Sequence, residues 1–319
     1  MARSPVPVVE PARNDAAGRS LAALLVRSLR PGQWSKNLIV FAGLIFSERH
    51  LLLQPPAVGR AAVAFLVFCA AAGVVYLIND VRDREADRHH PVKCRRPIAS
   101  GALSPATALA AAAAIGAAAL IVAFALSVPF GLIVVAYVVL FAFYSTSLKH
   151  VVILDVLTIA IGFVLRAWAG AVVVDVHVSH WLLLLTLLLA LFLGLSKRRA
   201  ELVTLASDAA GHRRILAEYS PYLLDQMISV VTASTLLSYA LYTIDPETVQ
   251  KVGTDWLVWT VPFPLYGIFR YLYLVHQRDG GGNPSEMLLT DRPLLGCVAL
   301  WGAAVIAILY GPGLLVPGR

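Results

Sequence analysis

The stretch Val75-Tyr76-Leu77-Ile78-Asn79-Asp80-Val81-Arg82-Asp83-Arg84-Glu85-Ala86-Asp87 closes an apolar run that starts near Val58 and ends in the pattern N-D-x-x-D-x-x-x-D. The run has the length that crosses a bilayer, about 20 residues. If the helix continues through the acidic part, Asp80, Asp83 and Asp87 share one face within about 60°. Asn79 lies beside them, one turn before Asp83. Ionised groups inside a membrane cost roughly 2.5–3.5 kcal/mol each on insertion scales, and carboxylates on one stripe repel each other. A hard divalent cation relieves both problems, since Mg²⁺ takes one or two carboxylates together with substrate phosphates and water. The stretch therefore reads as a Mg²⁺-diphosphate clamp at the end of a membrane helix. A solvated acidic helix end, paired with Arg82, Arg84 and Arg88, is the plainer alternative.

The rest of the chain repeats the apolar theme. Of 319 residues, 59% are hydrophobic and 14% charged, where a soluble domain carries roughly 25% charged residues. The mean hydropathy is +0.75. The expected fold is an all-α polytopic membrane protein with about nine spans of about 20 residues. These fall near 34–53, 58–79, 105–126, 129–144, 151–174, 181–195, 223–244, 256–275 and 293–310. Ser104 and Pro105 form a cap-and-start signal for the third. The first is interrupted by Glu48, Arg49 and His50, which suggests a bend near the outer interface.

Lysine and arginine in short loops set the orientation. One side collects Arg82, Arg84, Arg88, Lys93, Arg95, Arg96, Lys149, Lys197, Arg198, Arg199, Arg213, Arg214, Arg278 and Arg292; the other has Arg49, Arg60, Lys251 and Arg319. The rich side is expected in the cytoplasm, with the N-terminus inside and, after nine spans, the C-terminus outside. Because the basic residues sit between apolar runs, membrane topology and anionic substrates explain the net charge of +7, and no nucleic-acid partner is expected. Residues 1–20, rich in Pro, Arg and Ala, read as a disordered cytoplasmic tail before a single domain over 21–319. Cys69, Cys94 and Cys297 show neither disulfide nor zinc spacing.

The acidic stretch runs on through His89-His90-Pro91-Val92-Lys93-Cys94-Arg95-Arg96-Pro97-Ile98-Ala99-Ser100-Gly101. Lys93, Arg95 and Arg96 can hold phosphate oxygens that a metal leaves free; His89 and His90 read as loop residues rather than metal ligands. A second charged segment follows the sixth span, Gly194-Leu195-Ser196-Lys197-Arg198-Arg199-Ala200-Glu201-Leu202. There Lys197 and Glu201 can pair at i,i+4, leaving Arg198 and Arg199 for an anion. In the fifth span Asp155 and Arg166 share a face, eleven residues apart, and either pair with each other or point into a cavity. Tyr144, Ser145 and Lys149 lie just before them. Gly162 and Gly170 suit close helix packing. The polar segment 207–212 reads as a mobile part of a cytoplasmic cap.

The acidic quartet, the basic loop and R-P-I-A-S-G, in that order, resemble the first signature of the UbiA superfamily of intramembrane prenyltransferases. That resemblance implies a helical bundle around a central cavity capped on the cytoplasmic side, in the plasma membrane. It also implies that Asn79, Asp80, Asp83 and Asp87 hold metal and diphosphate and act as the catalytic set. Most such prenyltransferases carry a second aspartate-rich motif where this chain has Lys197-Arg198-Arg199-Ala200-Glu201. That segment, Arg30-Pro31-Gly32-Gln33-Trp34-Ser35-Lys36-Asn37, the H-P-V-K-C-R-R-P-I-A-S-G loop and Tyr219-Ser220-Pro221-Tyr222-Leu223 are similar to the polyprenyl-phosphate phosphoribosyltransferase branch. The branch implies Mg²⁺-dependent transfer of phosphoribosyl from phosphoribosyl pyrophosphate to a polyprenyl phosphate, with release of diphosphate. Lys36, Lys93, Arg95, Arg96, Tyr144, Lys149, Asp155, Arg166, Lys197, Arg198, Arg199 and Glu201 are the expected substrate-binding residues. A homo-oligomer is the assembly the branch suggests. Two alternatives stand beside this reading: prenyl transfer from a prenyl diphosphate to an aromatic or other acceptor, and a non-catalytic transporter or assembly subunit.

Overall fold

The computed structural model describes residues 20–47, 51–90, 92–205, 214–278, 282 and 284–315. Residues 1–19 of the expected N-terminal tail, the Glu48-Arg49-His50 interruption and the whole 207–212 cap segment lie outside these residues. Every described element is helical. In chain order they are α1 (Leu21–Ser28), a 3-10 segment (Pro31–Phe41), α2 (Ala42–Ile45), α3 (Pro55–Arg82), α4 (Arg84–Arg88), α5 (Pro105–Leu126), α6 (Val128–Thr146), α7 (Leu154–Val173), α8 (His180–Leu205), α9 (Pro221–Ile244), α10 (Pro246–Val252), α11 (Pro262–Gln277), α12 (Pro284–Thr290) and α13 (Arg292–Leu315).

Seven helices are long and apolar enough to cross a bilayer: α3, α5, α6, α7, α8, α9 and α13. The two remaining expected spans take other forms. The first is the eleven-residue 3-10 segment followed by α2. The eighth divides into a 3-10 turn at Trp256–Thr260 and the 16-residue α11. Pro262 and Pro264 supply no N–H, so the α-helical ladder cannot run back through that turn.

Helix starts follow a repeated chemical signal. The Ser104, Ser127 and Ser220 hydroxyls accept from Thr107 N, Phe130 N and Leu223 N, each with proline at the first or second helical position. Helices adjacent in sequence then pack side by side from α5 to α9, and α3 packs on α5. The 3-10 segment and α2 lie against α7. They come close because glycine stands at both contacts. A Cβ on Gly170 would meet the Val40 carbonyl oxygen at 1.9 Å, and one on Gly43 would meet Ala171 Cα at 2.7 Å. At the other end of the chain, Tyr310 Oη donates to the Ile45 carbonyl at 3.0 Å, bringing α13 back to α2.

One apolar cluster joins α2, α3, α6 and α7 around Phe68, Phe130 and Tyr137; a second joins α8, α9 and α11 around Phe192, Leu224 and Tyr271. The polar groups described next gather where the C-terminal ends of α3, α6 and α8 meet the N-terminal ends of α7 and α9.

Candidate active site

The acidic stripe does not stay on one continuous helix. α3 ends at Arg82, Asp83 takes φ −88° and ψ 8° as its cap, and α4 begins afresh at Arg84. This break divides the carboxylates. Asp80 and Asp87 are buried and converge on one guanidinium: Arg96 Nη1 lies 3.0 Å from Asp80 Oδ1 and 2.6 Å from Asp87 Oδ2. Asp83 turns aside, 43% exposed, to Lys149 Nζ at 3.7 Å. The expectation of three carboxylates on one face is corrected accordingly.

Arg30, absent from the expected substrate-binding set, completes this half of the site. It adopts φ +53°, a left-handed conformation costly for an arginine. Its guanidinium lies 2.5 Å from Asp80 Oδ1 and 4.6 Å above the centre of the Tyr76 ring. Arg27, Arg30, Lys93, Arg95, Arg96 and Asp80 line a cleft of about 230 Å³. Lys93 Nζ is 4.0 Å from Asp87 Oδ1. His90 accepts from Val92 N and Lys93 N through Nδ1, so it organises the basic loop. Burial and the neighbouring Lys93 lower its pKa, which keeps the ring neutral and able to accept.

The second half lies on α7 and α8. Asp155, fully buried, accepts from Arg198 Nε at 2.7 Å and from Tyr219 Oη at 2.8 Å. Arg198 also donates to Glu201 at 2.6 Å, and Lys197 pairs with Glu201 at 3.9 Å. Arg199 pairs with Asp225 at 2.5 Å. The expectation that Arg198 and Arg199 stand ready for an anion is therefore corrected, because both are bound to carboxylates. The Asp155–Arg166 pair is corrected too. Eleven residues of helix span about 16 Å, so a shared face does not bring the two side chains together. Arg166, also buried, is held by neutral groups: Asn37 Oδ1 at 2.7 Å, Tyr137 Oη at 2.6 Å and the Gly162 carbonyl at 3.0 Å.

Tyr219 lies outside the expected set as well. Its hydroxyl donates to Asp155 and accepts from Ile153 N at 2.7 Å, where Ile153 takes φ +70°. Burial foremost, with Asp155 adding to it, pushes the Tyr219 pKa up to about 12, so the phenol remains a proton donor. Tyr144 packs on Phe141 with ring centres 6.0 Å apart and lies within Coulombic reach of Arg198. Asn79 is partly exposed beside Asp80.

The donors suit a hard divalent ion in chemical type. Asp80 and Asp87 offer carboxylate oxygens about a common point, now bridged by Arg96, and Mg²⁺ needs only one or two protein carboxylates when phosphates complete its shell. Among the described residues, no three His, Cys, Asp or Glu side chains converge as a self-sufficient metal site.

The sequence model of the UbiA prenyltransferase family matches residues 38–290. This chain belongs to that family. It is 32% identical to the decaprenyl-phosphate phosphoribosyltransferase of Corynebacterium glutamicum over 92% of its length and 88% of that protein's. It is 33% identical to the Mycobacterium tuberculosis protein of the same name, over 92% of this chain and 96% of that one. A UbiA homolog from Archaeoglobus fulgidus, solved with GPP and Mg²⁺, has the same fold: TM-score 0.67 at 19% identity, covering 90% of this chain and 99% of that chain. The chain is thus a multi-span membrane enzyme of the UbiA type, and its relatives favour phosphoribosyl transfer. The transporter and assembly-subunit alternatives fall with that membership.

Proposed function

We propose that this UbiA-family enzyme transfers 5-phosphoribosyl from phosphoribosyl pyrophosphate to a polyprenyl phosphate, giving polyprenyl-phosphoryl-ribose 5-phosphate and diphosphate. The observation that carries the reading is the identity to decaprenyl-phosphate phosphoribosyltransferases along nine-tenths of the chain. The second charged segment supports it, because three basic residues and one glutamate stand where a metal-binding prenyltransferase motif would need several carboxylates.

The chemistry suits these residues. The C1–O bond to diphosphate breaks and a C1–O bond to the lipid phosphate forms. The attacking phosphate is already ionised near neutral pH, so no general base is required. Positive charge develops on the ribose as the leaving group departs, which makes positioning and electrostatics the main sources of rate. Asn79, Asp80, Asp83 and Asp87 would hold Mg²⁺, which when bound neutralises and stabilises the departing diphosphate. Lys93, Arg95 and Arg96 hold phosphate oxygens, and Lys149 approaches from α6's end. Asp155, Arg198, Glu201 and Tyr219 satisfy one another and serve to fix α7 and α8 around Lys197. The face bearing these groups is cytoplasmic, in a plasma-membrane protein whose N-terminus lies inside.

The test is an assay of purified protein with Mg²⁺, a polyprenyl phosphate and radiolabelled phosphoribosyl pyrophosphate. Label enters the lipid phase and chelation stops it. Absence of label, with turnover of a prenyl diphosphate and an aromatic acceptor instead, would establish prenyl transfer in its place.

A further inference from the structure

Among the described residues, Arg166 and Lys36 are cations with no carboxylate partner. Arg166 is 4% exposed and its hydrogen bonds to Asn37, Gly162 and Tyr137 all run to neutral oxygens, with Tyr137 and Phe163 ring centres 4.6 and 5.1 Å from its guanidinium carbon. Lys36 sits in the 3-10 segment, partly buried, beside the Asn37 that binds Arg166. Among the described residues neither forms an ion pair. Lys197, Arg166 and Arg30 all lie within Coulombic reach of Lys36. Arg30 and Lys197 are paired with Asp80 and Glu201, which leaves Lys36 and Arg166 uncompensated, an unfavourable state inside a membrane protein until an anion joins them. The uncompensated charge lies outside the cleft, whose lining includes neither Lys36 nor Arg166. Arg30 meets Asp80 at the cleft, and Lys36 is six residues further along the segment, about 12 Å at the 3-10 rise.

We propose that Lys36 and Arg166 form the subsite for the lipid monophosphate, while the outer cleft of Arg27, Arg30, Lys93, Arg95 and Arg96 takes the phosphoribosyl donor. The assignment rests on the phosphoribosyl-transfer reading and deepens it by giving each phosphate its own place. Two physical facts separate the ligands. The donor is water-soluble and its diphosphate needs the metal, so it belongs where Asp80 lines the cleft and Arg96 links it to Asp87. The acceptor carries one phosphate on a membrane-bound chain. It needs a cationic pocket within the helices, free of carboxylates that would repel it and require a metal to screen them.

Binding can be measured without turnover. Farnesyl phosphate is titrated into the detergent-purified enzyme in EDTA, with wild type, Lys36→Gln, Lys36→Arg and Arg95→Gln compared. Wild type binds without metal. Lys36→Gln weakens binding at least tenfold, Lys36→Arg restores most of it, and Arg95→Gln changes it less than twofold. Removing an unpaired charge leaves the melting temperature of Lys36→Gln at or above that of wild type. A dependence of farnesyl phosphate binding on Mg²⁺, undiminished binding by Lys36→Gln, or a lower melting temperature for it would overturn the assignment. So would inorganic phosphate binding as tightly as farnesyl phosphate, since the site would then select no lipid. Because these titrations need no catalysis, failure of wild type to transfer phosphoribosyl would refute the function separately.

Discussion

Asp155 shows how far one buried carboxylate constrains its surroundings. It is fully buried, and Arg198 and Tyr219 supply its hydrogen bonds. Arg198→Ala would leave this charge unpaired, a loss of about 3–5 kcal/mol. Thermal unfolding in detergent should show a strongly lowered transition, whereas a residue used only to grip substrate would change KM and leave the transition in place. Asp83 is the opposite case. It is half-exposed with a single lysine partner, so Asp83→Asn should leave the melting temperature unchanged while abolishing Mg²⁺-dependent turnover; full activity in the variant would remove Asp83 from the metal set. The sequence showed which residues carry charge at this end of the bundle, but not who meets whom. Periodicity fixes a residue's face, while Asp155 finds its partner 43 positions away on the next helix, a pairing that only tertiary packing decides. Arg30 was legible as part of a branch-like segment but not as a site residue, because its role depends on a backbone turn that no side-chain pattern encodes.

At the scale of elements, the long helices were legible because apolar length and a Ser-Pro start are local signals. α5 begins at Pro105 after Ser104, as those two residues alone imply. The first span was not legible as a 3-10 coil, since its form is set by what it lies on. Glycine at 170 permits backbone contact with Val40. Gly170→Ala places a methyl against a carbonyl oxygen that cannot retreat, and overpacking of this kind costs about 1–3 kcal/mol. The expected outcome is a lower melting temperature with Lys36 displaced, read as a joint loss of stability and of farnesyl phosphate binding. Gly59, with open space around its Cβ position, is the control: Gly59→Ala should leave both unaffected.

For the whole molecule, the charge asymmetry of the loops makes an orientation experiment decisive. Cys69 and Cys297 are buried and Cys94 is partly exposed in the basic loop. A membrane-impermeant maleimide should label Cys94 in inverted vesicles and spare it in intact cells; labelling from outside would reverse the orientation and the cytoplasmic placement of the site. The sign of this asymmetry was readable from loop composition alone. The architecture was readable as a helical bundle, but the number of full-length helices was not, because two apolar segments long enough to count as spans are broken by proline or coiled as 3-10.

The guanidiniums of Arg30 and Arg96 seated on Asp80, with Arg96 bridging to Asp87, carry a thermodynamic consequence. A divalent ion held by Asp80 and Asp87 would exchange with arginine, and the displaced guanidiniums would then be available to phosphate. On the proposed function, metal and donor would each prepare the other's seat, and their affinities would then rise together and by the same factor. Mg²⁺ titrated at increasing donor concentrations should bind progressively more tightly, and independent affinities would show that the arginines never leave. Since arginine keeps its proton at every accessible pH, the guanidiniums would stay charged on either side of the exchange.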